Sequence, residues 1–137
     1  MKRLLVANRG EIAARVIRTA QEMGLETVLA ASEADRESYA AQLSDLVTVI
    51  GPAQAGQSYL NSKALTDAIR SSGADAVHPG YGFLSEDAEF AKSVIAAGAT
   101  EASLFSLLGD REFLASLLLS AIPAALCLAG FLYFASP

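Results

Sequence analysis

Residues 75–86 read Asp-Ala-Val-His-Pro-Gly-Tyr-Gly-Phe-Leu-Ser-Glu, a stretch that leaves the backbone few options. Ala76 and Val77 form a short apolar run of the kind that ends a buried strand. Pro79, Gly80 and Gly82 then turn the chain abruptly. Ser85 is a suitable helix N-cap, and Glu86 and Asp87 put negative charge in the first turn of the helix that should follow. The stretch therefore reads as a strand–loop–helix junction. In parallel α/β sheets, ligands bind at such junctions, outside the carboxyl ends of the strands. His78 and Tyr81 stand on that rim. The glycines on either side of Tyr81 permit backbone angles and close approach that other residues resist.

The rest of the first 98 residues repeats the same alternation. Residues 4–7, 27–31, 47–50 and 76–77 are short apolar runs and read as strands. Between them lie helical patterns from the turn Asn8-Arg9-Gly10 to about Met23, over 37–43, and from Asn61 or Ser62 to Gly73. A last helix runs from Ser85 to about Ala97, with Phe90, Val94 and Ala97 on one face. In the first helix, Ile12, Val16, Ala20 and Met23 fall on one stripe and should face the sheet. The order β-α-β-α-β-α-β-α with short loops predicts an α/β fold: a Rossmann-like parallel sheet with helices on both faces.

At 137 residues the chain has room for one core. A net charge of −5 argues against a nucleic-acid partner, which selects basic surfaces. A single cysteine, Cys127, excludes an intrachain disulfide and fits a reducing compartment. The N-terminal apolar run is too short for a signal peptide.

Neither a G-x-G-x-x-G nor a G-x-x-x-x-G-K-[ST] fingerprint is present. Asn8-Arg9-Gly10-Glu11 occupies the place where such a loop would sit, but Glu11 would repel a phosphate, so the turn reads as mainly structural. Arg9 should pair with a carboxylate, either Glu11 or one from another segment. His78, the only histidine, has no companion for a metal site and reads first as a hydrogen-bonded shaper of its turn. Tyr81 either packs over the loop or presents its ring to a ligand. Glu11, Arg15, Arg18 and Glu22 form a charged stripe with two i,i+4 pairs, read either as a solvated face or as a contact with a partner subunit. No catalytic constellation is identifiable.

Five motifs occur in order: Ala7-Asn8-Arg9-Gly10-Glu11-Ile12-Ala13, Ser32-Glu33-Ala34-Asp35-Arg36, Ile50-Gly51-Pro52-Ala53, Ser58-Tyr59-Leu60-Asn61 and His78-Pro79-Gly80-Tyr81-Gly82-Phe83-Leu84-Ser85-Glu86. Together they closely resemble the N-terminal, pre-ATP-grasp domain of biotin carboxylases and of biotin-dependent acyl-CoA carboxylase alpha subunits. The resemblance implies a parent reaction in which biotin is carboxylated by bicarbonate at the expense of ATP, with Mg as the metal. It implies that Gly80, Tyr81 and Gly82 border the biotin pocket, and that Asn8, Arg9, Gly10, Glu11, His78 and Glu86 are motif residues that shape the domain. Arg18 and Glu22 match helix positions that meet the second subunit in bacterial homodimers. A biotin carboxyl carrier domain and other carboxylase subunits are the implied partners, and the implied location is cytoplasmic.

The departures from the family pattern bear on function. A histidine common in the family after the Asp-Arg loop is Ala40 here. The fifth strand with which the family continues after Gly98 reads as missing. Leu108-Gly109-Asp110-Arg111 matches in part a later motif, with Arg111 where the family has its ATP-contacting lysine. The ATP-grasp region is absent, so the chain reads as a fragment, inactive and free of bound cofactor by itself. Two alternatives stand beside it: a non-catalytic module that binds carboxylase subunits, and a membrane-anchored α/β domain.

The last alternative rests on the tail. Residues 1–98 are the domain, 99–112 a connecting segment, and 113–137 carry no charge. The 23 residues 113–135 could span a bilayer as a helix. Three readings stay open: the fortuitous end of a truncated or frame-disrupted gene product, a membrane anchor, or a buried helix completing the core. Each large apolar side chain left in water forfeits about 1.5–3 kcal/mol of burial. Deleting 113–137 is therefore expected to raise the soluble fraction, measured with sedimentation of both chains without detergent. A monodisperse full-length protein with a less soluble deletion would assign the tail to the core.

Overall fold

The computed structural model describes residues 2–101 of the chain. The strands are β1 (Arg3–Val6), β2 (Glu26–Ala31), β3 (Leu46–Val49), β4 (Ala76–His78) and β5 (Thr100–Glu101). The helices are α1 (Gly10–Glu22), α2 (Tyr39–Leu43), α3 (Ser62–Ser72) and α4 (Ala88–Ala96). The sheet order is β3-β2-β1-β4-β5, and every pairing is parallel. Leu5, in the central strand, lies opposite Val28 on one side and Val77 on the other.

Because side chains alternate along a strand, the apolar runs feed two separate cores. Leu5, Val28, Ala30 and Val77 pack with Leu65 and Ile69 of α3 and Phe90 and Val94 of α4. Leu4, Val6, Leu29, Ala31 and Ala76 pack on the other face with α1 and α2. The expected parallel sheet with helices on both faces is thus present. Coverage lapses at the edge strand β3, where Leu46, Val47 and Val49 are exposed.

Three local expectations are corrected. First, α1 buries Ala13, Ala14, Ile17 and Ala20, whereas Ile12 and Val16 are only partly buried and Met23 is 64% exposed. Small alanines let the helix lie close on the sheet, so the buried stripe is rotated from the one that larger side chains suggested. Met23 is already the C-cap residue.

Second, α4 begins three residues later than Ser85. Its cap is Asp87, whose Oδ1 accepts the Glu89 and Phe90 N–H groups at 2.9 and 3.0 Å. Ser85 is instead held in a turn, its N–H donating to Gly82 O at 3.0 Å. That turn directs Leu84 into the core. Third, a fifth strand does begin, as Thr100–Glu101 beside β4. Two residues of mixed polarity give no apolar run by which to read it.

Ala40, which stands where the family often has histidine, is buried against α1 and β2 residues. Among the described residues, no helix is long and apolar enough to cross a membrane. The tail 113–137, the segment Leu108–Arg111 and Cys127 lie outside the described residues.

Candidate functional site

The ends of β1 and β4 are joined by one more bond, from the residue after Val6 to His78, the last residue of β4. The Ala7 N–H donates to His78 O at 3.0 Å. From there both chains leave the sheet at its carboxyl edge, one into α1 and the other into the glycine loop. Asn8 locks the two exits together. Its side chain is 1% exposed, and its Nδ2 donates to Pro79 O at 2.8 Å and to Tyr81 O at 3.0 Å. Its Oδ1 accepts the Arg9 N–H at 2.9 Å, so both ends of the amide are used.

Gly80 lies directly against this amide. A Cβ at Gly80 would stand 2.6 Å from Asn8 Nδ2 and 2.8 Å from Ile12 Cγ2, and its φ is +68°. The close approach expected of the glycines is therefore real at Gly80. At Gly82 the requirement is one of angle only, because nothing lies within 4 Å of a Cβ there.

His78 is half-buried, and its Nδ1 accepts the Gly80 N–H at 2.9 Å. An accepting Nδ1 is unprotonated, and burial pushes the imidazole below its ordinary range. Both facts favour a neutral histidine that shapes the turn.

A second knot lies beside the first. Tyr59, 1% exposed, donates its hydroxyl to Asp35 Oδ2 at 2.8 Å and accepts the Ser32 N–H at 3.0 Å. Ser32 Oγ donates to the same carboxylate oxygen at 2.8 Å. Burial pushes the Tyr59 phenol up, so it stays a donor at neutral pH. The Tyr59 ring stacks on Phe83, centroids 5.0 Å apart and planes 15° from parallel. Arg9 pairs with Asp35 at 3.7 Å, the carboxylate from another segment that the sequence left open. Asp35, Tyr59 and Phe83 lie inside the sequence motifs, but nothing local marks their role at the site. An aromatic residue in a polar loop was the available signal.

Between the two knots lies an open recess of about 450 Å³, lined by residues 8–12 on one side and 81–83 on the other. Tyr81 is 73% exposed on its wall. The structure thus brings Asn8, Arg9, Gly10, Glu11, Tyr81 and Gly82 together, with Gly80 and His78 just behind. Glu86 sits outside the recess, in the turn before α4.

Arg18 and Glu22 lie on the outer face of α1. Glu11 pairs with Arg15 as expected, but Arg18 turns to Tyr39 rather than Glu22, bonding its hydroxyl and lying 5.6 Å over its ring. Among the described residues, no group of three or more His, Cys, Asp or Glu is placed to hold a metal.

The charged groups of the recess are paired: Arg9 faces Asp35, and Glu11 faces Arg15. Ile12, Phe83 and Tyr81 supply apolar and aromatic surface to the recess, beside the polar Asn8, Arg9 and Glu11.

The family model described as biotin carboxylase, N-terminal domain, matches residues 1–101. The propionyl-CoA carboxylase alpha chain of Rattus norvegicus is 50% identical over 98 residues, 72% of this chain and 13% of that protein. The biotin carboxylase of Haemophilus influenzae is 45% identical over 115 residues, 81% of this chain and 26% of that protein. The crystal structure of biotin carboxylase from Campylobacter jejuni superposes with a TM-score of 0.70 at 41% identity, covering 73% of this chain and 22% of that one. The chain therefore spans only a small part of the length of these relatives. By its matched motifs, its parallel sheet and its glycine loop, the chain belongs to the biotin carboxylase N-terminal domain family.

Proposed function

We propose that residues 1–98 supply one wall of a biotin site in ATP-dependent carboxylation of biotin by bicarbonate, with Tyr81 on the loop that borders the biotin ring. The observation that carries this reading is the recess itself: an exposed Tyr81 lines a hollow of mixed polarity at the carboxyl edge of the sheet, in a chain of this family. ATP and Mg belong to the part of the carboxylase that the matched residues do not cover. The reading of the chain as inactive by itself rests on the small share of these relatives that it spans, 13% of the propionyl-CoA carboxylase alpha chain and 26% of the biotin carboxylase.

The outer face of α1 is the proposed contact with carboxylase subunits or a second copy, through Arg18 and Glu22. Exposed Met23 and Tyr39 beside them favour a contact surface over a solvated one.

The test is a complete biotin carboxylase in which residues 1–98 replace the equivalent domain. It should show biotin- and bicarbonate-dependent ATP cleavage, and the 137-residue chain alone should show none. In the chimera, Tyr81→Ala is expected to raise the KM for biotin about tenfold, a loss of about 1.4 kcal/mol, with the KM for ATP nearly unchanged. Turnover by the purified chain, or equal losses for both substrates, would overturn the proposal.

A further inference from the structure

We propose that Asn8 is a positioning residue that sets where Tyr81 stands, acting through the backbone of the glycine loop. This rests on the reading of the recess as a biotin wall. Tyr81 is 73% exposed, so packing does little to hold it, and the backbone sets the point from which its side chain leaves the loop. That backbone is held at Pro79 O and Tyr81 O by the two N–H bonds of one buried amide. The Oδ1 of the same amide receives the Arg9 N–H, which fixes which way the amide faces. The far side of the loop is pinned separately, because Phe83, at φ +45°, stacks on the anchored Tyr59 ring. Gly80 lies between the two carbonyls that Asn8 holds, and Gly82 lies between Tyr81 and Phe83, so a glycine flanks the tyrosine on each side. His78 holds the Gly80 N–H behind this point, and Asn8 is the side chain that holds Tyr81 itself, while the two glycines provide the slack that makes an anchor necessary.

Asn8→Asp is the sharp variant, since it keeps the shape and replaces the double donor with an oxygen facing two carbonyl oxygens. Asn8→Ala removes the donor without repulsion and serves if Asn8→Asp fails to fold. In the full 137-residue chain, backbone order parameters at Tyr81 and Gly82 should fall from about 0.85 to below about 0.6 in either variant. Those in α1 and β2 should hold. In the chimeric carboxylase, the KM for biotin should rise about tenfold and the KM for ATP less than about twofold.

In a Tyr81→Ala background the same Asn8 variants should add less than about twofold, because their effect passes through Tyr81. Unchanged loop order would overturn the proposal, and so would full additivity with Tyr81→Ala. If Tyr81→Ala leaves the KM for biotin untouched, the biotin-wall reading fails, while the order parameters still decide whether Asn8 holds the loop.

Discussion

Tyr59→Ala should destabilise the domain by about 3–5 kcal/mol, the range for removing a buried aromatic side chain. Three losses act together. The ring leaves a cavity in the core beneath the loops, where Tyr59 is among the largest fully buried side chains. The hydroxyl leaves the buried Ser32 N–H without its partner and takes one donor from Asp35. Phe83 loses the stacked ring that offsets its left-handed backbone, a conformation that bulky residues adopt only when their surroundings enforce it. Tyr59→Phe separates these effects. It keeps the ring and the stack and loses only the hydroxyl, so about 1–3 kcal/mol is expected. Urea unfolding of the full chain, followed by circular dichroism, gives both values. A Tyr59→Ala loss under about 1 kcal/mol would mean that the knot at the carboxyl edge is not cooperative with the core. Against a total stability of about 5–15 kcal/mol for a small domain, the expected loss leaves about 0–12 kcal/mol, so a large unfolded population follows only where the parent stability lies near about 5 kcal/mol.

How far the sequence could be read follows from what kind of signal each feature leaves. The strands β1, β2 and β4 were legible because a parallel strand buried on both faces must be a short apolar run. The helix stops were legible because glycine leaves a local mark, as at Gly73 and Gly98. The helix start at Asp87 was not. Ser85 and Asp87 are both good caps, and the choice between them depends on burying Leu84, a tertiary demand that no local pattern shows. The buried stripe of α1 is hidden for a similar reason: alanines win the sheet-facing positions by being small, and hydrophobicity alone gives them little weight. At the site, Tyr81 and its glycines were visible as a motif. The amide clamp from Asn8 was not, because its partners are carbonyl groups more than 70 residues away. Hydrogen bonds to backbone oxygens leave no mark on the identity of the accepting residue.

Gly80→Ala and Gly82→Ala are expected to differ, although both glycines have left-handed φ angles, +68° and +70°. An L-residue in that region costs about 1–2 kcal/mol, and Gly82→Ala should cost no more than this, since open space surrounds its new methyl group. Gly80→Ala adds a collision with Asn8 Nδ2 and Ile12 Cγ2. Neither side chain can swing away freely: Asn8 is held by three hydrogen bonds, and Ile12 lies at the start of α1. Overpacking of this kind costs a further one to several kcal/mol, so a total of about 2–5 kcal/mol is expected. The clash also predicts coupling. In an Asn8→Ala background the nearest obstacle is gone, and Gly80→Ala should then cost less than it does alone, with only Ile12 still in the way. Denaturant unfolding of the three single variants and the Asn8→Ala/Gly80→Ala pair completes the cycle. Equal costs at Gly80 and Gly82, or strict additivity of Gly80→Ala with Asn8→Ala, would show that the loop does not press on the amide as the structure has it.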